Sequence, residues 1–507
     1  MNKFRINFNK LAVLCIALTI SISSCKKTND DLIDGLGTGP NTTIYALSTD
    51  NKLLTFTADN PSAVSSVAIT ELQSGETIIA IDFRPATGQL YGISSGSRIY
   101  VLNTQTGVAK QVGTTTFTPA ISNSTAGFDF NPTVDRIRLV TTTGQNLRLH
   151  PETGAVAFTD GSTNGPISVG VSAAAYTNNR SGAATTELYV LDAATDKLYK
   201  QDPPNNGTLV AIGSGIGVDA EQIGGFDIGS NGLALATIKV SGKTSLYAID
   251  VATGKVARLR NDFTGDIIGL AIPTEPVAYA INAANELVIF NPLTPSPVTK
   301  PVTGMAAGET VLGIDFRPAT GQLFALGSTS RLYILNTSSG AAAAVGVAPF
   351  TTLLSGADFG FDFNPTVDRV RIVSNLGQNL RINPNDGLVA AVDGALSGTG
   401  PSITAAAYTN NFAGATTTVL YDIDTQTNKL VKQDPPNLGT LVDVGPLGVT
   451  ATAANGFDIG SKSGTAYALL TVGATTKLYT INLTTGAATA GATLTGTYKA
   501  FTLGLGF

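Results

Sequence analysis

The chain is written twice. DFRPATGQL occupies residues 82–90 and again 315–323, and GFDFNPTVDR occupies 127–136 and again 360–369. AAAYTNN stands at 173–179 and 405–411, and KQDPPN at 200–205 and 432–437. The shift between the copies is always 232 or 233 residues. So constant a shift marks one folding unit repeated in tandem with almost no insertion, and it constrains the fold before any local reading begins. At 507 residues the chain is also too long for one hydrophobic core, which stops growing near ~250–300 residues.

Each copy carries a finer period of about 45 residues. In the first copy it is marked by IIAIDFRP (78–85), AGFDFNP (126–132), SAAAYTNN (172–179), GGFDIGS (224–230) and IIGLAIP (267–273). Further short β-rich runs follow each motif, separated by Gly, Asn, Asp and Pro, so that a unit reads as four strands. Four short strands per unit is the pattern of a propeller blade, and a solenoid is the main competitor. The ends of the fold favour the propeller. It starts at TIYALS (43–48), which aligns with the second strand of a blade, and finishes at TLGLGF (502–507), which aligns with the first. Such a permutation lets the last strand pair beside the opening ones and removes exposed edges. The expectation is an all-β protein of two tandem five-bladed β-propellers, residues 41–273 and 274–507, with one ten-bladed ring as the alternative. The segment that pairs with 43–48, either 267–272 or 502–507, decides between them.

The first 24 residues read as a leader. Lys3, Arg5 and Lys10 precede an apolar run from Leu11 to Ile22, the make-up of a signal peptide. Ile22-Ser23-Ser24-Cys25 resembles a bacterial lipobox, with Ile where Leu is usual, which implies a lipid on Cys25. Residues 25–40 then read as a flexible tether. Cys15 leaves with the leader, so the mature body has no thiol chemistry and no disulfide. Removing three cations takes the formal charge from −5 to −8, which argues against nucleic acid as a partner. The reading is a lipid-anchored protein of the bacterial cell envelope, on the periplasmic side or at the surface of the outer membrane.

The strings DFRPATGQLY, GFDFNPTVDRIR, QNLR, AAYTNN and QDPPN resemble the bacterial domain of unknown function numbered 4394. The resemblance spans nearly all of 43–507 as two copies. It implies a propeller-like fold and brings no assigned activity.

Reactive side chains are scarce. His150 is the single histidine, and Asn383 stands in its place in copy two, so triads and zinc clusters built on histidine are excluded. His150 itself reads as a surface loop residue. Aligned inner motifs put Asp82, Asp129, Tyr176, Asp227 and Ala271 at one position, and Asp315, Asp362, Tyr408, Asp458 and Gly506 at the same position of copy two. In a propeller the first strand lines the axis, so these acids and phenols form a candidate axial ring. Three uses fit it. The acids can accept hydrogen bonds from backbone amides and lock blade to blade. They can hold a cation, calcium being the one candidate and no other cofactor being implied; Asp129, Asn131 and Asp135 have a faint calcium-loop spacing without its glycine and glutamate. Asp82, Asp129 and Asp227 can also serve as acid and base of a carbohydrate-active hydrolase or lyase. Arg84, Arg136, Arg138 and Arg148 recur as Arg317, Arg369, Arg371 and Arg381 and read as partners of Asp129 or Asp135 between blades. The sequence favours a non-catalytic binding or scaffold module for protein or glycan over the enzyme.

If Cys25 carries the lipid, Cys25→Ala moves the protein from the membrane to the soluble fraction on sedimentation. Continued membrane association overturns the anchor.

Overall fold

The computed structural model describes residues 39–165, 170–398 and 401–507, so the leader, Cys25 and the tether up to residue 38 lie outside the described residues. Apart from two short 3₁₀ turns, Pro204–Asn206 and Pro436–Leu438, the described elements are strands. They form ten four-stranded antiparallel sheets. Among the described residues no helix is long and apolar enough to cross a membrane.

Strand pairing decides how the rings close. Thr43–Ser48 pairs with Ile267–Ala271, with Tyr45 opposite Ala271. Ala278–Asn282 pairs with Tyr498–Leu503, with Ala278 opposite Leu503. Each copy therefore supplies its own closing strand. The protein is two five-bladed propellers in series, and the single ten-bladed ring is excluded.

Turns between strands follow local chemistry. Asn103 accepts the amides of Gln105 and Thr106 on its side-chain oxygen, at 2.9 and 3.0 Å. Gly107, at φ 75°, then closes the turn in a left-handed conformation that costs glycine little. Asn336 with Gly340 and Asn482 with Gly486 repeat this arrangement in copy two.

The cores lie between neighbouring blades. Ile79, Tyr91, Ile93 and Ile99 of one blade pack on Phe128, Phe130, Ile137 and Leu139 of the next. Ile44 and Phe56 of the opening strands pack on Leu235 and Leu246, which seals ring one between its last and first blades. Close to the axis the sheets converge, and the inner strands become small-sided. Two positions before the axial residue stand Ala80, Gly127, Ala173, Gly225 and Gly269 in ring one, and Gly313, Gly360, Ala405, Gly456 and Ala500 in ring two. A Cβ on Gly127 would lie 2.5 Å from Ala174 Cβ and 2.7 Å from Ala174 N, in the next blade. Gly360 meets Ala406 in the same way.

The two rings touch through polar backbone contacts. Tyr279 Oη donates to Ala86 O (2.9 Å), and Gly506 N donates to Thr87 O (2.7 Å). Arg84 Nη1 donates across the same junction to Gly321 O (3.1 Å). The Arg84–Thr87 loop is thus buried between the rings, whereas Ala319, its copy-two counterpart of Ala86, is exposed.

Gly127→Val should force the inner strands of two blades apart. We expect a loss of about 3 kcal/mol or more in chemical denaturation. A stability within about 0.5 kcal/mol of the parent would refute this tight convergence.

Candidate functional site

The axial residues are positioned by the alternation of the inner strands. Asp82 lies opposite Tyr91, Asp129 opposite Arg138 and Asp227 opposite Leu235 on their second strands. In the remaining blades of ring one the matching residues are Ala271 and Ala175, the latter opposite Tyr189. Tyr176 is one residue further along and faces the other way, because a one-residue offset in a strand reverses the side chain. The expected phenol in the axial ring is therefore incorrect. Tyr176 is buried beside Val140, Val190 and Tyr199, and its hydroxyl accepts from Arg138 Nε at 3.2 Å. Copy two repeats this with Ala407 on the axial face and Tyr408 under Arg371 Nε at 3.2 Å. The fifth axial residue of ring two is Thr502, not Gly506: Thr502 lies opposite Tyr279 as Ala271 lies opposite Tyr45. Gly506 sits at the junction of the rings.

Three aspartates per ring do meet at the axis. Carboxylate oxygens of Asp82, Asp129 and Asp227 lie within 4.8 Å of one another, as do those of Asp315, Asp362 and Asp458, and all six residues are 1% exposed. Their hydrogen bonds account for every inner-strand amide at this level. Asp82 accepts Phe83 N and Phe130 N, both at 2.7 Å. Asp129 accepts Tyr176 N at 3.0 Å. Asp227 accepts Ile228 N and Ile272 N, both at 2.6 Å. The five amides come from five blades, so each aspartate also ties its blade to the next. Where the preceding blade offers alanine, at 271 and 175, the aspartate that follows bonds its own neighbouring amide instead.

Ring two is the same down to the atoms. Asp315 takes Phe316 N and Phe363 N (both 2.8 Å), Asp362 takes Tyr408 N (3.1 Å), and Asp458 takes Ile459 N (2.6 Å) and Leu503 N (2.7 Å). Thr502 Oγ1 adds a bridge, 2.9 Å from both Asp315 Oδ1 and Asp458 Oδ2.

Burial drives all six carboxyls upward, and the neighbouring carboxylates add to this for Asp82, Asp129, Asp315 and Asp362. Burial lifts Asp227 to about 7 and Asp458 to about 6, with their amide bonds holding them lower than burial alone would. Each trio therefore holds its protons to higher pH than free carboxyls do. Asp129 and Asp362 accept one amide each on Oδ1 and no amide on Oδ2, which suits them to carry a proton toward the other two. As a calcium cage the trio fits poorly. Calcium wants about six to eight oxygens, yet in each ring five of six carboxylate oxygens already accept an amide, and Ala175 and Ala271 add none. The calcium-loop spacing also dissolves: Asn131 Oδ1 caps Thr133 N at 3.0 Å, and Asp135 is taken by an arginine.

That arginine is Arg84, fully buried, with Nε and Nη2 on the two oxygens of Asp135 (2.9 and 2.5 Å) and Nη2 also on Glu152 (2.9 Å). Arg317 grips Asp368 and Asn385 likewise. Arg138 donates to Asn146 (2.7 Å), Asp160 (2.7 Å) and Asn205 of the QDPPN loop (2.8 Å) besides Tyr176. Arg148 forks onto Asp160, both bonds at 2.8 Å. Arg136 Nη1 donates to Asp135 O at 2.8 Å. The expected arginine pairing holds for Asp135 and fails for Asp129, whose surroundings are other carboxyls and amides. His150 is half-buried instead of lying on an open loop. Burial, with Arg136 and Arg84 nearby, pushes it down to about 4, and its Nδ1 accepts Glu152 N at 3.3 Å.

One buried acid escaped the sequence reading. Asp422 is fully buried, both its oxygens lack hydrogen-bond partners, and burial lifts it to about 8. Val190 holds this place in copy one, so the mismatch between aligned copies was its available signal. Open space lies elsewhere, on the side carrying the first-to-second and third-to-fourth strand loops. A cleft of about 480 Å³ between the rings is lined by Gln89, Asn103, Gln105, Lys110, Phe412 and Lys462, among others.

Fold and axis together define a tandem five-bladed β-propeller whose central acids bind its own backbone. The chain belongs to the family of the domain of unknown function DUF4394, whose model matches residues 52–271 and 286–503. No curated protein matches it. Among solved structures it is similar to the extracellular domain of the putative one component system BT4673 from B. thetaiotaomicron, at 11% identity over 91% of this chain and 71% of that one, with a TM-score of 0.26. The Dos1 propeller matches at 11% identity over 66% of this chain and 90% of that one, TM-score 0.26. PorZ, a surface component of the type-IX secretion system of Porphyromonas gingivalis, matches at 13% identity over 91% and 60%, TM-score 0.25. At such scores these likenesses carry no argument, and the propeller assignment rests on the sheet order.

The two kinds of axial aspartate should respond differently to amidation. A carboxyl raised by folding contributes stability below its unfolded pKa and loses it as pH rises through the folded value. Stability should therefore fall between pH 4 and 8, through the values near 6 and 7. Asp129→Asn keeps its one amide bond and removes a titrating acid, so it should gain about 1–3 kcal/mol at pH 8 and little at pH 4. Asp82→Asn leaves one of two amides bare and should lose about 1–3 kcal/mol at pH 4. Denaturant titrations at both pH values check this; destabilisation by Asp129→Asn at pH 8 would point to a bound cation instead.

Proposed function

We propose that this chain is a non-catalytic binding or scaffold module of the bacterial cell envelope, anchored by lipid on Cys25 and presenting units 41–273 and 274–507 to a protein or glycan. The observation that supports it most is the use of the axial acids. Catalysis by Asp82, Asp129 and Asp227 needs a substrate against them, and these groups are 1% exposed with five of their six oxygens committed to backbone amides. A hydrolase also sets its two carboxyls within an open cleft, whereas burial encloses all three here. The cleft between the rings is lined by amides, hydroxyls, lysines, Glu71 and two phenylalanines, a mixed surface suited to recognition. Calcium has no role in this reading.

The test uses the mature protein in detergent on a glycan array, with pull-down from envelope extract in parallel. Retention of a defined glycan or of one envelope protein, with the glycans recovered uncleaved, is the expected result. Cleavage of any retained glycan, lost in Asp82→Asn or Asp227→Asn, would replace this reading with the hydrolase. Failure to retain anything in either format would remove it.

A further inference from the structure

On the loop side of ring two a cleft of about 420 Å³ opens above Tyr408, within the ~300–1,000 Å³ usual for ligand sites. Thr416, Thr417, Thr418, Asn364, Asp434 and Gln433 line it. Gln433 is 2% exposed, and its Nε2 donates to Pro436 O at 2.6 Å. A carbonyl can only accept, so this bond fixes which way round the amide lies. Gln433 lines the cleft, and its Oε1 is buried with no hydrogen-bond partner. Copy one repeats the feature: Gln201, 1% exposed, donates from Nε2 to Pro204 O at 2.7 Å, and its Oε1 is likewise buried and unpartnered. An acceptor left this way is destabilising, and a ligand's hydroxyl would relieve it.

The copies differ at the mouth. In ring one Lys200 Nζ draws Glu187 (2.8 Å) and Asp202 (3.3 Å) together. In ring two Val419 replaces Glu187, and Lys432 Nζ turns away to lie 5.4 Å over the Tyr421 ring. Asp434 stays exposed at the rim. No lysine or arginine lines this cleft. Arg371 lies below, with its guanidinium already spread over Tyr408, Asn379, Asp393 and Asn437. Acceptors and threonine hydroxyls without a cation suit a neutral polyol and disfavour a phosphate or a uronate.

We infer that the cleft between Thr416–Thr418 and Gln433 of ring two is a binding site for a neutral oligosaccharide, with Gln433 Oε1 accepting from a sugar hydroxyl. This deepens the binding-module reading and rests on it. Ring one keeps the orphan acceptor but has its mouth bridged, so it serves as an internal control.

The test measures binding of neutral, sulfated and uronate oligosaccharides, and of a peptide library, to the mature protein in detergent. Gln433→Met, Gln201→Met and Thr416→Trp are compared, the last being an exposed loop change that fills the cleft without touching the core. Affinity for a neutral oligosaccharide should drop at least 10-fold in Gln433→Met and Thr416→Trp and stay within 2-fold in Gln201→Met. If Gln433→Met fails to fold, Thr416→Trp decides. A neutral glycan that binds all variants equally overturns this location and leaves the binding-module reading standing. Anionic glycans or peptides held in this cleft overturn the ligand class. No retention of any probe, here or in the envelope pull-down, overturns both, with water alone meeting Gln433.

Discussion

Five sheets meeting around one axis create a problem that the rest of this protein answers. The inner strand of each blade is the edge of its sheet, so its outward amides face the axis, where neither another strand nor bulk water satisfies them. The space there is also too small for ordinary side chains, as the alanines and glycines two residues before the axial position show. Three aspartates per ring answer both demands. A carboxylate is short, and in two of the three its two oxygens accept two amides from two different blades. Buried carboxyls that cannot all ionise are the consequence, and Asp227 and Asp458 titrating near 7 and 6 are its mark.

The same solution explains why the most suggestive residues of the chain are unsuited to chemistry. A pair of acids with raised pKa invites a catalytic reading, and structural networks raise pKa by the same physics. The distinction lies in access and in what the oxygens already bind. With the axis spent on architecture, the two copies differ away from it. Val419 stands where copy one has Glu187, buried Asp422 where it has Val190, and the Arg84 loop is an inter-ring contact while its counterpart is exposed. Duplication kept the frame and released the rims.

The blade pattern and the six aspartates were legible in the chain, because repeats and inner-strand motifs carry their own alignment, whereas two rings or one was settled only by the pairing of Thr43–Ser48 with Ile267–Ala271. The axial tyrosines were misplaced because an aligned motif is blind to a one-residue slip, and in a strand that slip reverses the face. Ala175 and Ala407 were the true axial residues, hidden by their smallness next to a conspicuous Tyr. Gly506 was misplaced for a related reason: the closing strand ends earlier than its motif suggests, so Thr502 holds the place of Ala271. Arginine partners could not be assigned from adjacency in sequence, since Arg84 reaches Asp135 across a blade boundary and Arg138 reaches Asn205 across another.

The sequence by itself determined that a unit is used twice, that its strands come in fours, and that each copy ends on an inner-strand motif. Periodicity and turn chemistry are local properties, and they survive translation into one dimension. Only the tertiary structure decided which acids share an axis, which amides they hold and which cleft keeps an unpartnered acceptor. Those facts depend on distances between blades, and a strand's side-chain direction changes with every residue of register.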